Sequence, residues 1–171
     1  MFYAYFRIGL IFLFVILGVI LHRELGLEAA WYLYAGALLL TVTHYIFGNV
    51  WMAFYQLKKG NLEQAEQLLK TTRRPQWLVR QHRSYYHFTH GMIALQRKAM
   101  DAGRFHLGQS LELGLKNETD EALVCLNLAH IAFLDKDQEN CQKYLDRAKS
   151  LKTNDLLIKK HLKELEDLLA A

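Results

Sequence analysis

Residues 29–57, AAWYLYAGALLLTVTHYIFGNVWMAFYQL, run for 29 positions without a single Asp, Glu, Lys or Arg. As one helix the stretch is about 43 Å long, against a bilayer hydrocarbon core of roughly 30 Å. It is therefore too long to be a membrane span alone. Its last third, Gly48 to Leu57, leads into Lys58-Lys59-Gly60-Asn61 and then Leu62-Glu63-Gln64-Ala65, which reads as a helix, a turn and a second helix. The chain thus divides at about residue 47 into an apolar N-terminal part, 1–47, and a helical domain, 48–171. No Pro or Asn-Gly turn separates the two, so the spacing predicts a rigid helical continuation with Gly48 as its one weak point.

Upstream, residues 2–21 form a second apolar run broken only by Arg7, and residues 22–28 (HRELGLE) form a short polar turn. No basic segment precedes the apolar core and no small-x-small cleavage site follows it, so the reading is an uncleaved transmembrane hairpin with spans at 2–21 and 29–47. Gly18 and Ala35-Gly36-Ala37 let two such helices approach closely. In that hairpin Arg7 and His44 fall at similar depth as an intramembrane polar pair. With no acidic residue in either span to complete a proton relay, they are read as anchoring and packing groups.

Charge is segregated along the 171 residues. Residues 1–57 are neutral overall, 58–106 carry a net +7 and 107–171 a net −3, for a total of +4. The basic excess follows the second span and marks the cytoplasmic side, which puts both termini and the helical domain in the cytoplasm. The separation of signs along the chain does not describe a uniform nucleic-acid-binding surface. One Pro, 10 Gly and few β-branched runs after residue 60 favour helix throughout, so the fold class is all-α.

The soluble part repeats. Ala53, Gly60, Ala65 and Leu69 match Ala129, Lys136, Cys141 and Leu145, each 76 positions later. A middle unit fits between them: a first helix from 84 to 100 with Gly91 in the small slot, a turn at Ala102-Gly103-Arg104, and a second helix from 105 to 115 with Gly108 in its small slot. The spacing is then two periods of about 34 plus an insertion. Leu128-Ala129, Phe133, Leu145 and Ala148, with Ala53, Gly60, Ala65 and Leu69, resemble the tetratricopeptide repeat (TPR) pattern of small and large residues at paired-helix contacts. The resemblance implies an α-solenoid of about three helix-turn-helix units over 48–151, closed by a capping helix at 155–169. The two N-terminal spans with attached repeats are similar in architecture to bacterial membrane-anchored TPR proteins of the HemY type. This implies an integral protein of the bacterial cytoplasmic membrane. The period-ending proline is missing, except for Pro75, and Cys141 stands where the pattern has Ala.

By the same resemblance, the first helix of each unit lines a concave groove for a protein partner. The matching residues are Tyr85, Phe88, Met92 and Leu95, then Leu123, Leu126, Asn127, His130 and Phe133, with Asn127 at a position that hydrogen-bonds bound peptide backbone. A separate cluster, Arg73, Arg74, Arg80 and Arg83 with Trp77 between them, has the composition that attracts anionic lipid headgroups. His82, His87 and His90 have no Asp, Glu or Cys between Glu66 and Met100 to complete a metal site. Cys125 and Cys141, 16 residues apart, read as small core residues of a reducing compartment. There is no phosphate loop, nucleophile elbow or HExxH. The expectation is a scaffold or adaptor with no catalytic, metal or cofactor site. The alternatives are a structural subunit of a larger membrane complex, or a protein binding the lipid surface. Nothing in the sequence fixes an oligomeric state.

Overall fold

A computed structural model describes the backbone of residues 2–47 and 49–170 and the side chains of 6, 8–43 and 49–169. The side chains of Arg7 and His44, and Gly48, the weak point of the expected rigid continuation, lie outside the described residues. Among the described residues the chain is all-α, with nine α-helices and no strand. They are α1 (Phe2–Leu25), α2 (Leu27–Phe47), α3 (Val50–Lys58), α4 (Leu62–Lys70), α5 (Arg80–Gln96), α6 (Met100–Leu113), α7 (Glu118–Leu134), α8 (Gln138–Ser150) and α9 (Leu156–Ala170). A short 3-10 turn, Pro75–Trp77, precedes α5.

α1 and α2 pack as an antiparallel hairpin. The polar residues 22–25 and 27–28, expected as a turn, are helical, and Gly26 alone reverses the chain at φ +82°. A left-handed φ is open to glycine at no steric cost, so one residue suffices. The helices meet where side chains are small. A Cβ on Gly18 would stand 2.9 Å from the Tyr34 ring, and one on Gly36 would stand 3.0 Å from Phe14. Outward, Phe12, Ile16, Ile20, Trp31, Leu38 and Leu39 are exposed, an apolar surface with no protein cover. One helix, α1, is long and apolar enough to cross a membrane, over Ile8–Leu25; the apolar part of α2, Leu27–Thr43, is shorter.

The single rod expected over 29–57 is interrupted. α2 ends at Phe47, α3 begins at Val50, and Asn49 stands before α3 at φ −104°, ψ 21°. The Asn49 amide donates to Thr71 Oγ1 at 2.8 Å, which pins the start of α3 to the end of α4.

α3–α4, α5–α6 and α7–α8 form three helical hairpins, and α9 packs on α7 and α8. Their register is even. Gly60, Lys98 and Lys136 hold positive φ of 79°, 62° and 61°, and lie 38 residues apart. Each N–H bonds the carbonyl three residues back, at 2.9, 2.9 and 3.0 Å, closing the first helix of its unit. The 76-residue offset is therefore two periods of 38, not two of 34 with an insertion. The middle turn lies at 97–99 rather than at 102–104, so α5 spans Arg80–Gln96 and Gly103 lies within α6. Gly103 is there for contact, since a Cβ would stand 2.4 Å from Leu95 Cδ2. Gly108, the expected small position, faces nothing within 4 Å.

In this register Ala53, Gly91 and Ala129 are equivalent, as are Leu69, Leu107 and Leu145, and all are buried. Neighbouring units are tied by ion pairs at equivalent positions with reversed sign: Glu66 with Arg97, and Arg104 with Asp135. Arg97, Arg104 and Asp135 are about half exposed and Glu66 is half-buried, so each pair reaches solvent and contributes at most about 1 kcal/mol. Their opposite polarity still favours this stacking order, because a shifted register brings like charges together. Asp155 Oδ1 accepts from the Leu157 and Ile158 amides at 2.9 and 3.3 Å, starting α9. α9 then buries Ile158, Leu162 and Leu165 over the last hairpin.

Candidate functional site

The first helices of the three hairpins, α3, α5 and α7, contribute one wall each to a recess of about 430 Å³. It is lined by Trp51, Phe54 and Lys58 from α3, Gln81 and Tyr85 from α5, Asp120 from α7, and Lys116 and Asn117 from the loop before α7. Its apolar side is a packed run of rings. Trp51 lies 4.7 Å from Tyr85, Phe54 lies 4.9 Å from Tyr85, and Phe88 backs Phe54 at 5.5 Å, mostly edge to face as ring quadrupoles prefer. Phe54, Tyr85 and Phe88 are buried, whereas Trp51 is 44% exposed at the mouth of the recess.

The polar side is built around Asp120, only 5% exposed. The Tyr85 hydroxyl donates to Asp120 Oδ2 at 2.8 Å, and Lys58 Nζ lies 3.4 Å from Oδ1 while sitting 4.4 Å above the Phe54 ring. Burial, reinforced by the Asp120 hydroxyl bond, raises the Tyr85 phenol well above its ordinary value. At neutral pH it is a fixed hydrogen-bond donor. Replacing Tyr85 by Phe strips a buried carboxylate of its neutral partner. The expected cost is about 2 kcal/mol in urea unfolding, with Asp120→Asn in the same background recovering part of it.

The expected groove residues divide. Tyr85 lines the recess. Phe88 and Leu126 are core residues, at 2% and 8% exposure, because the 38-residue register turns them toward the neighbouring helices. Met92, Leu95, Leu123 and Phe133 are half-buried against the core. Asn127 donates its amide to its own helix, to Leu123 O at 2.7 Å, and His130 is exposed. Trp51, Phe54, Lys58, Gln81, Lys116, Asn117 and Asp120 are the lining residues that sequence reasoning missed. The signal lies in the first unit, where Trp51 and Lys58 flank Phe54 at helical spacing; the sequence reading makes this the first repeat helix but assigns it no groove residue.

Of the basic cluster, Arg73 and Arg74 are exposed, with the Arg74 guanidinium 4.3 Å over the exposed Trp77 ring. Arg80 is committed elsewhere: its Nε donates to Leu113 O at 2.7 Å and closes the end of α6. Arg83 is half-buried. Cys125 and Cys141 are free and fully buried, and burial pushes the Cys125 thiol up to about 11. Among the described residues, no three His, Cys, Asp or Glu side chains are placed to hold one metal ion. The chain shows no significant match to known protein families, to characterised proteins or to solved structures.

Proposed function

We propose that this protein is a membrane-anchored adaptor, not an enzyme, in which α1 and α2 are two spans and α3–α9 are a capped TPR-like solenoid on the cytoplasmic side. The observation that carries the reading is the recess shared by α3, α5 and α7, since one first helix from every hairpin meets there. Three stacked units that share a groove recognise an extended surface of a partner, and such surfaces take protein segments. The mouth supplies Trp51 as an exposed aromatic and Lys58 and Lys116 as cations, outweighing the single paired Asp120. The matching occupant is a protein segment with an apolar side chain next to an acidic one. Topology follows the basic excess of residues 58–106, which holds the repeats on the side where Lys and Arg accumulate.

Peptide display against the full chain in nanodiscs tests the reading. Enrichment of peptides pairing an acidic with an apolar residue is expected, with binding weakened roughly tenfold or more by Trp51→Ala or Lys116→Glu. Lys116 is exposed, so Lys116→Glu leaves stability within about 0.5 kcal/mol of wild type. Trp51→Ala also loses its ring contacts to Tyr85 and Phe54 and is expected to cost about 1–2 kcal/mol without unfolding the domain. Equal binding by wild type and both variants rules out this groove.

A second reading has one observation behind it. Arg74 stacked on the exposed Trp77, three residues before α5, is a group that seats well at a lipid headgroup layer. It adds to the adaptor reading an orientation of the groove relative to the bilayer.

A further inference from the structure

The middle hairpin departs from its neighbours at three positions. In the 38-residue register His87 corresponds to Cys125 and Asn49, His90 to Leu128 and Met52, and His106 to Tyr144 and Leu68. Cys125, Leu128 and Leu68 are buried in the core. The middle unit thus places three imidazoles where the outer units are mainly apolar.

The geometry makes those imidazoles interdependent. His87 Nδ1 lies 3.0 Å from His106 Nδ1, across the α5–α6 contact. At that distance one nitrogen must donate and the other accept, so the pair holds one Nδ1 proton and a second is repelled. The His90 ring stacks on His106 at 5.0 Å and 19°, and Tyr86 closes the far side of His90 at 4.7 Å. All three histidines are half-buried.

The charged groups around them act in both directions: Arg83 opposes a proton on His87, whereas at His90 Glu66 favours one and Lys70 opposes it. From α5, Arg83 faces His87. From α4, Glu66 and Lys70 face His90, and Glu66 is already paired with Lys70 and Arg97. From α6, His106 itself opposes a proton on His87 and on His90. On the groove side of α5, His82 packs against Trp51 and is a separate titrating group.

We propose that His87, His90 and His106 form an acid-operated latch: neutral, they close α5 on α6, and protonated, they force the two helices apart. The consequence reaches the recess, because α5 carries Gln81 and Tyr85 and packs on α3. Burial first, then repulsion from His106 and His90, holds His87 down to about 4. Burial likewise lowers His90 and His106. Groups whose folded values lie below the unfolded one stabilise the fold fully above about pH 6.5 and lose that contribution as pH falls toward 4. This holds whichever partner occupies the groove, and its test needs no partner.

Amide hydrogen exchange on the full chain in nanodiscs, at pH 7.5 and pH 5.0 and corrected for intrinsic exchange rates, reads the latch directly. Residues 80–113 are expected to lose protection roughly tenfold at pH 5.0. The variant His90→Leu with His106→Tyr copies the third hairpin at two of the three positions and removes both partners of His87. It is expected to stay within about twofold, whereas His82→Gln keeps the full response. Unchanged protection of wild type between the two pH values overturns the proposal, as does an equal response in the double variant. Should that variant fold poorly, His106→Gln and NMR titration of the wild-type histidines decide. Midpoints of His87, His90 and His106 below 6.5 support the latch, and midpoints at or above 6.5 overturn it.

Discussion

Gly91→Val is expected to destabilise the helical domain by about 3 kcal/mol and to lower Tm by roughly 10 °C. The added Cβ would stand 2.6 Å from Leu107 Cδ2, 2.7 Å from Leu107 Cγ and 3.1 Å from the Leu107 backbone nitrogen. A flexible side-chain tip can move aside. Leu107 cannot do so cheaply, because it is fully buried and the third contact is main chain. Gly108→Ala has the opposite sign: nothing lies within 4 Å, so the gain in helix propensity of about 0.5–1 kcal/mol is kept. Urea unfolding of both variants in the same micelle checks the pair. A costly Gly108→Ala with a neutral Gly91→Val would return the close contact to position 108.

Phe88→Ala is expected to cost about 3–5 kcal/mol, the usual range for deleting a fully buried aromatic ring. Phe88 is 2% exposed and packs edge to face on Phe54 and Tyr85, at 5.5 and 6.1 Å. Those rings form the apolar wall of the recess, so the cavity left behind also loosens the site. His130→Ala, on an exposed residue of α7, is expected to stay within about 0.5 kcal/mol. Denaturant midpoints distinguish the cases. If Phe88→Ala abolished peptide binding at unchanged stability, Phe88 would be a ligand contact and not a core residue.

These two variants mark where the sequence was legible. The small and large residues of the outer units, Ala53, Ala65 and Leu69 against Ala129, Cys141 and Leu145, carry the repeat openly, because close helix packing demands those sizes at those spacings. The middle unit hides it. Its turn carries Lys98 in the left-handed region instead of Gly, so no composition signal marks the reversal. Its glycines sit inside helices, at 91 and 103, where they serve contact and not turning. A glycine read as a breaker displaced the turn by several residues and moved the expected small position to 108.

The site was legible only in part. Tyr85 is common to the expected groove and the observed recess, but Asp120 and Lys116 come from sequence positions more than 30 residues away. Likewise His106 is 19 residues from His87 and gave no local signal. By itself the sequence determined helix as the only secondary structure, the separation of an apolar front from a charged rear, and a repeat, because period, composition and charge are properties of the chain read in order. Only the tertiary structure decided that the period is 38, that the helix over 29–57 breaks before Val50, and that a tyrosine hydroxyl donates to a buried aspartate. Those facts depend on which residues meet after the hairpins stack, and long-range contact is not written in local spacing.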